Sequence, residues 1–418
     1  MERRRVARSR SNGDGNPSSR ASSRRRFLAA LGAGGTVATA GCLAGARSRL
    51  PFVGTNEEAD PAPERSREPS VAETYRDVDL PVPESELARG ADRDTIPAIT
   101  DPVFAPDWSG IDPALVDESL VIGVERDGVA RAYPLKLLNW HEVVNDDLGG
   151  PLVVTYCPLC ASGVVADRTV QGETLAFGGS GSTATGASKE VVTSFGVSGL
   201  LWRADLVMYD ETTGSLWSQL LATAIRGELT GTGLALYPSA VTTWGQWRES
   251  YPDAEVILPP PASNTVRGRV EFSYDRNPYL GYESSRRVGV GRTGDVDERL
   301  HPKTKVVGVA RDGVARAYPL PVLAKEGPVN DTVGGLPVVV ALEGTTLVAY
   351  VRRIDGRVLT FEGDGDVLVG GGSRWDVVSG RALDGPFEGR RLERANARSP
   401  MFWFAWADFY PDSDIYGR

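Results

Sequence analysis

A ten-residue sequence that occurs twice is the feature that most constrains the fold of this 418-residue chain. Residues 126–135 read RDGVARAYPL, and residues 311–320 are identical. Further matches follow in the same order along both halves of the chain: Asn145-Asp146 with Asn330-Asp331, Trp217 with Trp375, Trp244 with Trp403, Trp247 with Trp406, and Tyr251-Pro252-Asp253 with Tyr410-Pro411-Asp412. An ordered series of matches is the signature of a duplicated unit. We therefore predict two diverged tandem repeats packed as a pseudo-symmetric pair.

The spacing of the matches divides the chain into five segments. We predict a signal peptide over residues 1–41, a flexible tether over 42–90, repeat one over 91–258, a bridge over 259–303 and repeat two over 304–418. Repeat one is longer than repeat two between the matched blocks, and it carries there the Gly/Ser/Thr-rich stretch 178–188. Such a composition predicts an exposed loop.

Each repeat is predicted to be mainly β with short helices, an α+β fold. Residues 120–125 and 129–133 are β-rich runs around a glycine-containing turn, which is typical of a hairpin. Residues 135–144 follow Pro134 and have the apolar spacing of a short helix. Residues 145–150 are predicted to form a turn, and residues 152–156 a buried strand.

The first forty residues have the organisation of an export signal. Arg24-Arg25, within the run SRRRFL, resembles the twin-arginine export motif, and the apolar stretch 28–40 that follows is too short to span a bilayer. The stretch ends at Thr39-Ala40-Gly41-Cys42, which resembles a lipobox, the run that is cut before a cysteine that receives lipid. We expect Cys42 to be lipidated and the protein to be extracytoplasmic, anchored to the outer face of the cytoplasmic membrane. The alternative is a buried helix with a chance arginine pair.

The charge of the chain excludes one class of partner. The sequence has 46 basic and 55 acidic residues, a net charge of −9, and few of its basic residues are lysine. This acidic, lysine-poor composition resembles that of proteins from extreme halophiles. An anionic surface repels phosphate backbones, so the composition argues against a nucleic-acid-binding protein.

Three residues form the one dense chemical group in the sequence. Cys157 and Cys160 have Cys-x-x-Cys spacing and are the two thiols that remain once Cys42 is assigned to lipid. This spacing suits either a reversible disulfide or two ligands to one soft metal ion, for which copper or zinc are the candidates. His141, on the preceding predicted helix, is the candidate third ligand or general base. For a shared metal ion, the two sulfurs should lie within roughly 4 Å of each other.

The duplication provides an internal control for these three residues. In the register of the repeat, His141 corresponds to Glu326, Cys157 to Leu342 and Cys160 to Thr345. Features that both repeats share are expected to serve the fold, and features of one repeat to serve function. Two structural alternatives stay open: a permanent disulfide or unpaired buried thiols for the cysteines, and a purely structural role for His141.

Several motifs together resemble the domain-of-unknown-function family 3179. They are Tyr133-Pro134-Leu135, Asn139-Trp140-His141-Glu142, Val144-Asn145-Asp146, Thr155-Tyr156-Cys157-Pro158-Leu159-Cys160, Phe195-Gly196-Val197-Ser198-Gly199, Leu206-Val207-Met208-Tyr209-Asp210 and Leu216-Trp217-Ser218-Gln219. The resemblance covers about residues 90–418. It implies membership of a family without assigning a chemistry.

Three functions are compatible with the sequence. The first is a surface-anchored protein with a soft-metal or thiol redox centre at Cys157, Cys160 and His141; as a dithiol enzyme, Cys157 would attack a disulfide and Cys160 would resolve the intermediate. The second is a non-catalytic lipoprotein that binds a small molecule, a partner protein or a surface polymer in an aromatic cleft between the repeats. The third is a structural envelope protein with a static disulfide. The sequence alone leaves open whether the protein is an enzyme.

Overall fold

The computed structural model describes residues 78–172, 189–290, 292 and 295–418. The predicted signal peptide, the lipidation site Cys42, most of the tether and the predicted loop 178–188 lie outside the described residues.

The fold is mainly β with short helices, as predicted. Strands account for 41% of the structure. Four α-helices of seven residues each lie in the described part of the chain: α1 (Leu135–His141), α2 (Trp244–Ser250), α3 (Leu320–Glu326) and α4 (Trp403–Phe409). Helices α1 and α3 start directly after Pro134 and Pro319. Helix α2 starts with a capping box, in which Thr243 and Gln246 satisfy each other's backbone N–H groups.

The sheets are arranged as a six-bladed β-propeller, an architecture that the sequence did not predict. Among the described residues, six sheets have three or more strands. Three of them are built by residues 87–265, which we call the first half, and three by residues 305–415, which we call the second half. Propellers repeat one small sheet around a central axis, so their edges stay short.

The first half of the chain forms sheets 1 to 3. Sheet 1 has the strand order β15 (Ala240–Thr243), β4 (Leu120–Arg126), β5 (Val129–Pro134), β16 (Glu255–Ile257) and β3 (Phe104–Ala105). Sheet 2 has the order β17 (Asn264–Thr265), β2 (Ile99–Asp101), β6 (Val143–Asp147), β7 (Pro151–Cys157) and β8 (Ser162–Asp167). Sheet 3 has the order β1 (Leu87–Arg89), β11 (Phe195–Trp202), β12 (Asp205–Asp210), β13 (Leu216–Ser218) and β14 (Thr223–Arg226).

The second half forms sheets 4 to 6. Sheet 4 has the order β28 (Met401–Phe402), β18 (Lys305–Arg311), β19 (Val314–Pro319) and β29 (Asp414–Ile415). Sheet 5 contains β20 (Val329–Val333), β21 (Leu336–Glu343) and β22 (Thr346–Val351), and sheet 6 contains β25 (Phe361–Asp364), β26 (Val367–Gly370) and β27 (Ser373–Asp376). Two further hairpins pair β9 (Thr169–Gly172) with β10 (Lys189–Val192), and β23 (Arg353–Ile354) with β24 (Arg357–Val358).

Sheets 1 and 4 have the same construction. Both place a central hairpin, β4–β5 or β18–β19, between an antiparallel strand on one side and a parallel strand on the other. In both sheets a tryptophan ring of the following helix covers a glycine of the first central strand. A Cβ atom added at Gly123 would lie 2.3 Å from Trp247, and one added at Gly308 would lie 2.1 Å from Trp406. Each glycine is therefore required by the close approach of a ring.

Residues 145 and 146 do not form the predicted turn. Asn145 and Asp146 lie inside β6 and are buried. Strand β6 continues through them because each side chain has buried partners: Asp146 accepts hydrogen bonds from Arg131 and Tyr133, and Asn145 pairs with the backbone of Phe195. Buried polar groups are stable when they are hydrogen-bonded in this way.

The end of the predicted tether lies in the described part and is packed. Strand β1 pairs antiparallel with β11, and Val82 is 1% exposed. The folded body thus begins before residue 91. Among the helices of the described residues, none has the length and apolar composition that a membrane span requires.

The two covering tryptophans differ in one hydrogen bond, which leads to a stability prediction. Trp406 Nε1 donates to Ser413 Oγ at 2.8 Å, whereas Trp247 Nε1 is buried without a partner in the described part of the chain. Ala254 stands at the position that corresponds to Ser413. We expect Ala254→Ser to raise the free energy of unfolding by about 1 kcal/mol, because the new hydroxyl accepts the indole N–H. Denaturant unfolding measures the change.

Ser413→Ala is the matched control. It removes the acceptor from Trp406 and should lower the free energy of unfolding by a similar ~1 kcal/mol. If Ser413→Ala destabilises the protein while Ala254→Ser leaves its stability unchanged, the two tryptophans are not in equivalent surroundings.

Candidate metal centre

The two cysteines lie at the tip of a hairpin in sheet 2. Strand β7 ends at Cys157, which pairs with Ser162 at the start of β8, so four residues form the connection. Within it, the amide of Cys160 donates to the carbonyl of Cys157 at 3.2 Å. Both cysteines are free thiols, 1% and 0% exposed. The Cys-x-x-Cys segment therefore forms a buried turn, and its two cysteines are not joined by a disulfide bond.

The corresponding hairpin in sheet 5 has a different tip. There the ladder continues past Leu342 and Leu347 by one more pair, Glu343 with Thr346. The remaining connection has only two residues, and it begins with Gly344 at a φ of 57°. In the first half the ladder ends one pair earlier, and the wider turn that results holds the two cysteines.

A second turn, from sheet 3, faces the cysteines. Strands β11 and β12 are joined by Arg203 and Ala204, both with positive φ (52° and 67°), as a type I′ turn requires. Neither residue is glycine, so both occupy a conformation that L-residues adopt at a cost. The Ala204 carbonyl accepts hydrogen bonds from Cys160 Sγ at 3.3 Å and from Cys157 Sγ at 3.7 Å. The strained turn thus points a backbone oxygen at both sulfurs.

The hairpin that carries this facing turn is longer than its counterpart in the second half. The β11–β12 hairpin runs from Phe195 to Asp210, whereas the β25–β26 hairpin runs from Phe361 to Gly370. The two hairpins start at equivalent points, because the amides of Phe195 and Phe361 donate to the side chains of Asn145 and Asn330. The additional residues of the first hairpin carry its tip to the cysteines.

Asp205, the first residue of β12, completes the group. One carboxylate oxygen of Asp205 and the sulfurs of Cys157 and Cys160 all lie within 4.8 Å of one another. Among the described residues this is the only such group of three histidine, cysteine or acidic side chains. Asp205 is fully buried, and its carboxylate accepts hydrogen bonds from Ser218 Oγ at 2.6 Å and from the Leu220 amide at 3.3 Å. We call these three side chains the Cys/Cys/Asp cluster.

Burial controls the protonation of the Cys/Cys/Asp cluster. It raises the pKa of Asp205 to about 7, against the opposing effect of the hydrogen bonds from Ser218 and Leu220. Burial also raises the pKa of the Cys160 thiol well above its usual value, with Cys157 and Asp205 adding to the shift. Without an ion the Cys160 thiol is therefore neutral. A bound cation reverses this effect, because it stabilises thiolate and carboxylate.

A buried lysine lies beside the cysteine turn. Lys303 is 6% exposed, and its ammonium donates to the carbonyls of Tyr282, Ser285 and Arg287, the last at 2.5 Å. The same nitrogen lies 3.4 Å from the centroid of the Tyr282 ring. Burial lowers the pKa of Lys303 to about 8, and the nearby Cys160 and Glu283 oppose this shift. The side chain thus stays charged at neutral pH.

The segment that Lys303 holds covers both turns of the centre. Tyr282 donates through its hydroxyl to the carbonyl of Leu159, between the two cysteines, at 3.1 Å. Its hydroxyl also accepts the amide of Gly289 at 2.9 Å. A Cβ atom at Gly289 would lie 2.2 Å from the Cβ of Ala204, so only glycine fits there. Residues 282–289 therefore separate the cluster from solvent.

His141, the predicted third ligand, is not a member of the Cys/Cys/Asp cluster. It is fully buried, its Nδ1 donates to the Pro97 carbonyl at 2.7 Å, and its Nε2 accepts from the Tyr274 hydroxyl at 2.8 Å. Burial lowers the pKa of His141 to about 4, so the ring is neutral. Both ring nitrogens are thus occupied, and the structure brings Asp205 to the two cysteines where the sequence suggested His141.

The neighbouring Glu142 is a second buried carboxyl that sequence reasoning missed. It ends helix α1 with a φ of 57°, while Gly327 ends helix α3 with a φ of 78°. Glu142 accepts a hydrogen bond from the Tyr279 hydroxyl at 3.4 Å, and burial raises its pKa to about 8. The first half thus has a strained, protonated glutamate where the second half has the glycine that a positive φ favours. In the sequence, the presence of a glutamate at this position stands out only when Glu142 is aligned with Gly327.

The raised pKa of Asp205 makes the stability of the metal-free protein depend on pH. The folded protein keeps this proton between the usual carboxyl pKa of 3.8 and about 7, where the unfolded chain has lost it. The contribution is therefore complete below pH 3.8 and is lost as pH rises towards 7. We expect Asp205→Asn to remove a decline of up to about 1.4 kcal/mol per pH unit.

Denaturant unfolding with a chelator, at several pH values from 4.5 to 7, tests this expectation. His141 has a lowered pKa and acts in the opposite direction, so the informative quantity is the difference between wild type and variant at each pH. A difference that stays constant with pH would show that Asp205 is ionised throughout.

Comparison with known proteins gives a family and no chemistry. The model of the family described as "Protein of unknown function (DUF3179)" matches residues 93–413. No curated protein and no solved structure matches the chain. The family match includes both turns of the centre and nearly the whole described body. The chain therefore belongs to the family of proteins of unknown function DUF3179.

Proposed function

We propose that this chain is a membrane-anchored extracytoplasmic protein that binds a soft metal ion through Cys157, Cys160 and Asp205. The observation that carries the proposal is the convergence of two buried sulfurs and one buried carboxylate within 4.8 Å. Two thiolates with a carboxylate suit a borderline or soft ion, for which zinc and copper are the candidates. The Ala204 carbonyl, which already faces both sulfurs, is available as a further oxygen donor.

Burial favours metal binding over thiol exchange with a partner protein. Exchange requires an accessible thiolate with a lowered pKa. Cys157 and Cys160 are 1% and 0% exposed, and the pKa of Cys160 is raised. Metal binding does not require a thiolate that a partner protein can reach. A metal ion is small enough to enter a buried site, and it displaces the thiol protons when it binds. The dithiol function is therefore the weaker of the two.

We also propose that the two halves are diverged tandem repeats. The support comes from repeated contacts: Tyr133 and Tyr318 donate to Asp146 and Asp331, and Arg131 and Arg316 pair with the same carboxylates. The equal construction of sheets 1 and 4 adds to it. Under this proposal the cysteine turn and the long β11–β12 hairpin are changes of the first repeat alone, as expected of parts that serve a function.

A second candidate function is ligand binding without chemistry. A cavity of about 230 Å³ lies between residues of the two halves, among them Tyr237, Ser239, Tyr251 and Arg391. The Ser239 hydroxyl lines this cavity and is buried without a hydrogen-bond partner in the described residues. This function becomes the leading one if the protein holds no metal.

Metal binding is tested by titrating the purified, chelator-treated protein with Co²⁺ and Zn²⁺. We expect one ion per chain and a sulfur-to-cobalt absorption band. Cys157→Ser and Asp205→Asn should each weaken binding by at least about tenfold, because each removes a ligand. Wild-type protein that binds no stoichiometric ion would overturn the proposal.

Two control variants sharpen the titration. Glu343→Gln removes another carboxyl whose pKa burial raises to about 7, at a site outside the cluster, and should leave the affinity unchanged. His141→Gln should keep the stoichiometry of one ion, because the ring lies outside the cluster. Loss of binding in a folded His141→Gln protein would instead restore the ligand set that the sequence suggested.

Membrane anchoring is tested at Cys42, on the basis of the sequence motif. We expect the wild-type protein in the membrane fraction, with the mature chain starting at Cys42. Cys42→Ser should release the protein into the medium or block its processing. Unchanged processing and membrane retention of Cys42→Ser would contradict lipidation.

A further inference from the structure

The charge of the Cys/Cys/Asp cluster needs a compensating partner once an ion is bound. Two thiolates and one carboxylate carry three negative charges, and a divalent ion cancels two of them. One negative charge then remains in a site without solvent, where an uncompensated charge is strongly unfavourable. The inference that follows rests on the metal centre proposed above and concerns the group that compensates this negative charge.

Lys303 has the position that such a counter-charge requires. Its ammonium lies 5.6 Å from the centroid of the Phe402 ring, and the amide of Phe402 donates to the Cys160 carbonyl at 2.9 Å. On the other side, the Tyr282 ring under the ammonium is hydrogen-bonded through its hydroxyl to Leu159. The ammonium thus lies between two residues that each hydrogen-bond to the cysteine turn.

The carboxylates around the centre are already compensated, and Arg203, the cation of the facing turn, is only half-buried and donates to the Asp408 carbonyl at 2.9 Å. Asp408 pairs with Arg292, and Glu283 pairs with Lys305 at 3.5 Å. Glu142 is protonated at neutral pH, since burial raises its pKa to about 8. Lys303 has only neutral carbonyl acceptors and ring faces around it, and no carboxylate of the described chain lies within ion-pair distance. A buried lysine without a carboxylate partner is uncommon.

We propose that Lys303 is the counter-charge of the metal centre and that, together with Asp205 as a ligand, it makes the centre selective for a divalent ion such as Zn²⁺ over a monovalent soft ion such as Cu⁺. With Zn²⁺ the charges of the three ligands, the ion and the Lys303 ammonium sum to zero. With a monovalent ion the centre is neutral only if Asp205 keeps its proton, and a protonated Asp205 is not a ligand. On binding, the thiol protons go to solvent and Lys303 keeps its proton.

A double-mutant cycle distinguishes this electrostatic role from a purely structural one. Lys303→Met leaves the divalent centre at −1, and Asp205→Asn leaves it at +1, so each should weaken Co²⁺ binding by at least about tenfold. The double variant returns the centre to neutrality, because two thiolates and Co²⁺ sum to zero. We expect it to bind Co²⁺ more tightly than the product of the two single losses predicts. Additive losses would overturn the proposal, since a merely structural lysine is not rescued by Asp205→Asn.

Selectivity gives an independent readout on Asp205→Asn alone. Ag⁺, a stable monovalent stand-in for Cu⁺, should bind this variant about as well as wild type, while Co²⁺ binds it at least about tenfold more weakly. Equal weakening for both ions would contradict the charge argument. This arm stays informative even if Lys303→Met proves too unstable to purify, in which case Lys303→Gln takes its place in the cycle.

Lys305→Met is the matched control for the lysine. It removes an ammonium two residues away, from a side chain that is 35% exposed and pairs with Glu283 at the surface. Its Co²⁺ affinity should equal that of wild type. If wild type binds no Co²⁺, the metal centre itself fails; if wild type binds and the cycle is additive, only the role of Lys303 fails.

Discussion

The paired side chains of Asn145 and Asp146 are the interaction on which the first half of the structure depends. Asp146, on sheet 2, accepts hydrogen bonds from Arg131 and Tyr133 of sheet 1. Asn145, next to it, binds both backbone groups of Phe195 in sheet 3. Sheets 1 and 3 are thus fixed to one strand of sheet 2 by buried, hydrogen-bonded polar groups, which specify one arrangement more strictly than apolar contacts do. The link from sheet 2 to sheet 3 also sets the cysteine turn opposite the turn that carries Asp205.

The second half has the same hydrogen bonds between neighbouring sheets, although it lacks the metal ligands. Asn330 pairs with the backbone of Phe361, and Asp331 accepts from Arg316 and Tyr318. Trp217 and Trp375 each pack edge-on against the phenylalanine that is linked in this way. These links between sheets therefore form with or without the metal ligands. The ligands of the first half lie on a wider turn between β7 and β8 and at the tip of the longer β11–β12 hairpin.

The strand patterns predicted the mainly β fold, because strands and their turns are local consequences of the sequence. The propeller arrangement depends on contacts between sheets, which no local pattern reports. Asp205 escaped detection because it is one of 55 acidic residues and lies where the spacing between the two halves changes. His141 drew attention as a rare residue type, yet rarity does not reveal that Pro97 and Tyr274 occupy both its nitrogens.

The contact between Phe402 and Cys160 has a consequence for the synthesis of the chain. The amide that closes the cysteine turn belongs to strand β28, near the carboxyl end, and the lysine beside it precedes the first strand of sheet 4. The first half, which carries the ligands, therefore depends on the second half for its closure. During synthesis, the pocket around the sulfurs can close only after residue 402 has been added. The site is therefore one of the last parts of the molecule to be completed.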